Sequence, residues 1–282
     1  MTENNQYLWL KQWLFYSLKE LLSSQRRWQT SLESLSKVQP ESPLVIGISG
    51  AQGSGKTTLA TALQKLWLGQ GVQADVISLD DYYLEPALRL QRARLWHPLF
   101  AERGVPGTHE TSLLLSQLQA FRRHEPQQWR RYDKGRDCVA GYSEKTTARI
   151  VILEGWCVGL SALSEQALLE KPNLLETRQD PDARWRRQVN QQLAQEYQQL
   201  WLLLDQLIWL DAPDWQAVCR WRAWQEQTLQ QQGLGKSPAE LKDFMLYFER
   251  LTRQSWQQLP ASADFILTLG QDHRLLKLIP DE

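Results

Sequence analysis

The stretch GISGAQGSGKTT, residues 47–58, constrains this chain more than any other. Gly50, Gly55, Lys56 and Thr57 fill the pattern G-x4-G-K-[ST], which is informative where a strand runs in and a helix runs out. The run LVIGIS before it is apolar and β-branched, and Leu59, Leu63 and Leu66 after it recur at helical spacing. Glycines let such a loop curl so that successive N–H groups point inward, and the helix adds its positive end. The loop is thus a cradle for phosphates. Gly50, Ala51, Gln52, Gly53, Ser54, Gly55, Lys56, Thr57 and Thr58 are the nucleotide-binding residues expected, with Lys56 on the β and γ oxygens and the Thr57 hydroxyl on Mg²⁺.

Further strands read as QADVISLDD, ARIVILEG, DQLIWLDAP and ADFILTL, continuous and apolar as strands covered on both faces must be. Strands alternating with helical stretches predict a doubly wound parallel sheet. With 282 residues, one domain is expected over 43–282, carrying an arginine-rich insertion at 84–148 and a helical lid at about 215–245. Residues 1–42 read as an amphipathic helical extension, with Leu8, Leu10, Trp13, Leu14, Leu18, Leu21 and Leu22 as its apolar positions.

Thirty-two basic and 32 acidic residues cancel, so no global field draws nucleic acid or membrane. One segment, FRRHEPQQWRRYDKGR, interleaves bases and aromatics, but it is short and the chain is neutral. No apolar run is long enough for a signal core or a membrane span, and the expected compartment is the cytoplasm. Cys138, Cys157 and Cys219 lie far apart, outside any metal or disulfide spacing, and are read as reduced thiols. The 14 tryptophans are read as packing aromatics because many stand beside leucine at helical spacing. Neither an N-K-x-D nor an L-S-G-G-Q motif is present, which argues against a GTPase or a transporter ATPase.

In an open parallel sheet, ligands bind beyond the carboxyl ends of the strands. Asp80 and Asp81 end the second predicted strand and Glu154 the third. A carboxylate there takes the proton of an attacking hydroxyl or holds Mg²⁺. Asp80 is assigned as the general base, with a helix cap as its alternative reading, and Glu154 as the metal-side carboxylate alongside Thr57. Asp81 fits a capping or solvated role equally well.

The segments GISGAQGSGKTT, ISLDDYYL, RGVPGTHE, YDKGRD and VILEGWCVG, in this order, resemble the P-loop kinases of small hydroxylated metabolites, among them uridine kinase, phosphoribulokinase and pantothenate kinase. Within that superfamily EGWCVG and RGVPGTH resemble the D-glycerate 3-kinase branch of plants, fungi and bacterial relatives. VNQQLAQEY resembles that branch's V-N-x-x-L-x-x-Y, and WRAWQE its W-R-x-Q-A-E lid helix, so the resemblance spans about residues 43–270. It implies an α/β fold of the P-loop NTPase type, three layers with a five-stranded parallel sheet. It also implies ATP and Mg²⁺, and phosphoryl transfer to a small acceptor such as D-glycerate. Glu110 stands where the branch has aspartate, GRDCVAGYSE follows Lys134 in place of an acidic or glycine-rich run, and Trp224 replaces a glutamine.

A carboxylate-bearing acceptor needs a cationic fork and hydrogen-bonding groups near Asp80. Arg103 is the candidate fork, with His109, Glu110, Tyr83 and Lys134 as further substrate residues. Arg220, Arg222 and Lys236 are the cations of the lid, and the resemblance favours Arg222 on the transferring phosphate. Ser237 and Pro238 read as the N-cap and first residue of the second lid helix. The alternatives are a kinase of a nucleoside or pantothenate-like acceptor, or a nucleotide-dependent regulator that has lost the acceptor pocket.

Overall fold

The computed structural model describes residues 42–230 and 235–279, so the predicted helical extension lies outside the described residues. In chain order the strands are β1 Leu44–Gly50, β2 Ala74–Ser78, β3 Arg130–Asp133, β4 Cys138–Tyr142, β5 Ile150–Gly155, β6 Gln206–Asp211, β7 Phe265–Leu269 and β8 Leu275–Ile279. The longer helices are α1 Lys56–Gly69, α2 Pro86–Leu95, α3 Thr111–Arg122, α4 Arg184–Gln192, α5 Trp215–Gln230 and α6 Pro238–Ser262.

The main sheet runs β2-β5-β1-β6-β7-β8. Its first five strands are the predicted parallel ones. The sixth corrects the five-stranded expectation: β8 folds back antiparallel on β7 through a turn in which Gly270 N–H donates to Arg274 O. Two features hide it in the sequence. It is a short edge strand with Leu276 two-thirds exposed, so it lacks the continuous apolar signature of a covered strand.

Successive side chains in a strand face opposite ways, and here both ways are buried. Val45, Val151, Leu153, Leu207 and Trp209 pack on one face against α3, α4 and α6, through Leu114, Leu118, Val189, Phe248 and Leu251. Ile46, Ile48, Ile150, Ile152, Ile208 and Leu210 pack on the other against Leu59, Leu63 and Trp67 of α1 and Trp221 of α5. Each such side chain contributes roughly 1.5–3 kcal/mol on burial, which is why these strands are apolar without alternation. The result is three layers, helix on sheet on helix. Trp67, Trp129, Trp156, Trp185, Trp209 and Trp221 are buried in or against them, as the packing reading expected.

The second strand stops earlier than predicted. Ser78 Oγ accepts the N–H of Asp80 at 3.3 Å and caps a 3-10 turn over Leu79–Tyr82, so Asp80 and Asp81 sit on a turn just past the strand. The cap is Ser78 itself, which leaves the Asp80 carboxylate for other partners. Within the insertion, β3 and β4 form a separate antiparallel hairpin beside this turn.

Candidate active site

The phosphate cradle forms between β1 and α1. Gly53 (φ +79°) and Gly55 (φ +93°) take left-handed backbone conformations. Gly55 is also the N-cap of α1 and offers no side-chain acceptor, so the first-turn N–H groups have no side-chain cap. A Cβ at Gly50 would lie 2.7 Å from Ser54 Oγ and one at Gly53 2.8 Å from Trp221 Cβ. Ser49 Oγ, Ser54 Oγ and both amide atoms of Gln52 are buried without a protein partner. Buried polar atoms without partners cost free energy unless a ligand satisfies them, and this cluster fits the phosphates of a nucleotide. Lys56 Nζ donates to Ala51 O at 3.0 Å. Burial lowers the pKa of its ammonium, against the opposing charges of Glu154 and Asp80.

Strand register brings the carboxylates to this loop. Glu154 of β5 pairs in register with Ile48 of β1 and with Ser78 of β2. It is buried, and its Oε1 accepts the Thr57 hydroxyl at 3.1 Å. Thr57 and Glu154 form a hydroxyl and carboxylate pair of the oxygen chemistry that Mg²⁺ takes. Two residues past Ser78, Asp80 receives Lys134 Nζ on Oδ2 at 2.5 Å and the Tyr83 hydroxyl on Oδ1 at 2.8 Å. Burial raises the Asp80 carboxyl, but the Lys134 ammonium and the Tyr83 bond outweigh it and hold it far below the usual carboxylate range. The same ion pair outweighs the lowering effect of burial on Lys134 and raises its ammonium. Asp81 points to the hairpin instead, accepting Tyr132 N–H at 3.1 Å and Arg131 Nη1 at 3.0 Å.

A short antiparallel bridge, Tyr83↔His109, joins the Asp80 turn to the RGVPGTHE loop. Leu84 N–H donates to Thr108 O and Glu110 N–H to Tyr82 O on either side of it. His109 is completely buried, its ring stacked on Tyr83 at 4.6 Å and its Nδ1 2.6 Å from the Tyr197 hydroxyl. Burial pushes the His109 imidazole down to about 4, so it is neutral at ordinary pH. Trp156 Nε1 donates to Gly104 O at 3.0 Å and ties the EGWCVG segment to the same loop. Gly104 is confined there, because a Cβ would stand 2.6 Å from the Phe248 ring.

Arg103 and Glu110 are drawn toward the site yet already engaged. Arg103 donates to Asp137 Oδ1 at 2.5 Å and to the carbonyl of Lys134 at 2.8 Å, and Glu110 pairs with the buried Arg130. The Asp137 pairing ties down the fork read from sequence. Asp137 also accepts the buried Arg89 and the Tyr132 hydroxyl, a cluster that clamps the hairpin carrying Lys134. Arg89, Tyr197, Trp156 and Asp137 are the residues that reading the sequence passed over as site residues. Trp156, Asp137 and Tyr197 lay in motifs already noted; Arg89 had no signal, since nothing in ALRLQRAR marks one arginine as buried.

Of the two helices read as a lid, α5 lies against the phosphate loop. Ser237 and Glu240 form a capping box at the start of α6 with Pro238 at the first position, as the sequence predicts. Trp221 of α5 packs at Gly53, and His273, from the β7–β8 turn, stacks on Trp221 at 4.1 Å with its Nε2 2.8 Å from Gly53 O. Arg222 pairs with Glu226, Arg220 with Gln271, and Lys236 lies over the Phe244 ring. Arg222, like Arg220, belongs to the turn of α5 against the loop, and its backbone nitrogen would lie 3.2 Å from a Cβ at Gly53.

No protein-family model matches the chain. It is 32% identical over 228 residues to the uncharacterized kinase mug58 of Schizosaccharomyces pombe, a match covering 73% of this chain and 78% of that one. The chain belongs to the P-loop metabolite kinases of the D-glycerate 3-kinase branch. The chloroplastic D-glycerate 3-kinase of Arabidopsis thaliana is 29% identical over 72% of the chain, which spans 45% of that relative. Two solved structures share the fold of this kinase, each at 22% identity over 88% of the chain. One is the YGR205w protein, with a TM-score of 0.70 over 96% of its length. The other is the D-glycerate 3-kinase of Cryptococcus neoformans var. grubii, with a TM-score of 0.67 over 95%. The protein is an ATP-dependent kinase of a small molecule. Among the described residues no helix is long and apolar enough to cross a membrane.

Proposed function

We propose that this kinase transfers the γ-phosphoryl group of ATP to the 3-hydroxyl of D-glycerate. The observation that carries the reading is the Asp80 carboxylate held between Lys134 and Tyr83, two residues beyond the strand position that pairs with Glu154. A hydroxy acid asks a site for a base at its hydroxyl and a cation for its carboxylate. Asp80 and Lys134 supply both within one contact. The likeness to the chloroplastic D-glycerate 3-kinase of Arabidopsis supports the choice of acid.

Thr57 and Glu154 would hold Mg²⁺, which when bound supplies positive charge to the phosphate oxygens. Lys56, at the cradle, holds the phosphate end of ATP, together with the loop N–H groups between Gly50 and Thr58. Asp80 is the base. It is ionised before substrate arrives and receives the hydroxyl proton as the new oxygen–phosphorus bond forms and ADP leaves. Its low basicity suits a loose transition state, in which the proton is given up late. Lys134 exchanges part of its hold on Asp80 for the substrate carboxylate, which places the hydroxyl against the base. Arg222 turns from Glu226 toward the transferring phosphate when the lid closes, and α5 and α6 exclude water. His109, Tyr83, Arg103 and Glu110 shape the acceptor side, Arg103 by holding the Lys134 carbonyl.

The test is ADP release from MgATP with a panel of acceptors: D-glycerate, L-glycerate, glycerol, uridine and pantothenate. Release stimulated by D-glycerate above the others is the expected result. Stimulation by uridine or pantothenate instead would move the assignment to another acceptor, and nucleotide binding with no turnover would make the chain a regulator.

A further inference from the structure

The hydrogen bonds around His109 determine which of its nitrogens carries the proton. Tyr197 oxygen accepts the N–H of Gly107 at 3.2 Å and lies 2.6 Å from His109 Nδ1. A phenol has one proton to donate. If Nδ1 carried the imidazole proton, the Tyr197 oxygen would accept twice and its own buried proton would have no recorded acceptor. With the proton on Nε2, every group in the chain Gly107 N–H, Tyr197 O–H, His109 Nδ1 is satisfied. That leaves Nε2–H as a donor. It is completely buried and has no partner in the protein. The ring that carries it stacks on Tyr83, whose hydroxyl binds Asp80, and the charges of Asp80, Arg92 and Lys134 act on the imidazole.

We propose that Tyr197 is a positioning residue that locks His109 in the Nε2–H form, and that this N–H donates to a carboxylate oxygen of the phosphoryl acceptor. The inference rests on the reading of a hydroxy acid as that acceptor. An N–H that donates to a carboxylate oxygen makes a charge-assisted bond, stronger than the one it makes to the neutral oxygen of an amide or alcohol, and so it favours an acid. Tyr197 lies on a single π-turn, Leu193–Tyr197, that follows α4.

The tautomer is read first, by long-range proton–nitrogen NMR of the imidazoles in the full chain, with His109→Gln assigning the signal. A proton on Nε2 and none on Nδ1 is expected, and the reverse overturns the relay whatever the acceptor is. Kinetics then use whichever acid of the panel supports turnover. Tyr197→Phe is expected to raise the KM for that acid roughly three- to tenfold, with the KM for ATP unchanged. His109→Phe should do the same, while His109→Gln, whose amide N–H replaces Nε2–H, should recover most of the loss. An unchanged acid KM in His109→Phe overturns the proposal, and this variant decides if Tyr197→Phe fails to fold. If no acid on the panel is phosphorylated, the functional assignment falls and with it the carboxylate contact, whereas the NMR result still decides the tautomer.

Discussion

Lys134 at the tip of the β3–β4 hairpin donates to Asp80 across a separation of 54 residues, at 2.5 Å. The contact sets the charge state of the proposed base. It also makes the hairpin part of the acceptor site, because whatever moves the tip moves the ammonium. Arg131 and Tyr132 N–H on Asp81, and Arg89 and Arg103 on Asp137, fasten that tip from both sides.

Asp80 is held below the carboxylate range by Lys134, so it stays ionised as pH falls through 5, and His109, pushed down to about 4 by burial, stays neutral there. The acid limb of kcat/KM should therefore lie below pH 5, with no step near the ordinary histidine value of 6.5. In Lys134→Met the largest influence opposing burial at Asp80 is lost, leaving His109 and the Tyr83 bond, so its pKa rises and the limb moves to higher pH. A wild-type limb near neutrality, or a limb unmoved in Lys134→Met, would contradict the assignment.

Asp80→Asn keeps the size of the side chain and a hydrogen-bond acceptor for Tyr83 but removes the base. Turnover should fall by about 10²–10⁴-fold, with ATP affinity by calorimetry within a few-fold of wild type. Near-normal turnover would remove Asp80 from the chemistry.

Glu154→Gln keeps an acceptor for the Thr57 hydroxyl while removing the charge beside it. The Mg²⁺ concentration for half-maximal activity should rise roughly 10–100-fold. A magnesium titration that overlays wild type would place the ion elsewhere.

Gly53→Ala tests the cradle. The residue sits at φ +79°, and a Cβ there meets Trp221 at 2.8 Å. Left-handed backbone costs an alanine about 1–2 kcal/mol and the overpacking about 1–3 more. Weaker ATP binding by at least about tenfold, on this energy scale, is expected by calorimetry.

Asp137→Asn leaves Arg89, which is 4% exposed, without its charge partner. Asp137 is itself 31% exposed, so solvent screens the pair and a stability loss of about 2 kcal/mol in urea melts is expected. Burial raises the Asp137 carboxyl, but the bonds from Arg89, Tyr132 and Arg103 bring it down to about 2. A depressed carboxyl contributes its stability above the unfolded value of 3.8 and loses it as pH falls toward 2. Wild type and Asp137→Asn should therefore converge in stability at low pH. The KM for the acceptor should rise in the variant, since Arg103 also holds the Lys134 carbonyl.

The cradle, the five parallel strands and the strand-end carboxylates were legible in the sequence because each is a local requirement. Glycine spacing specifies the loop, unbroken apolar runs specify strands covered on both faces, and residues at strand ends face the ligand in any sheet of this kind. Tertiary structure alone decided the partners. Arg103 looked like a substrate fork and is bound to Asp137; Asp81 looked like a strand-end carboxylate or a cap and is an anchor for the hairpin. Burial of Arg89 and the donor state of His109 depend on groups tens of residues away, Asp137 and Tyr197, that only folding brings within hydrogen-bond reach. Sequence spacing measures distance along the chain, whereas ion pairing and tautomer choice follow from distance through space and from the loss of water.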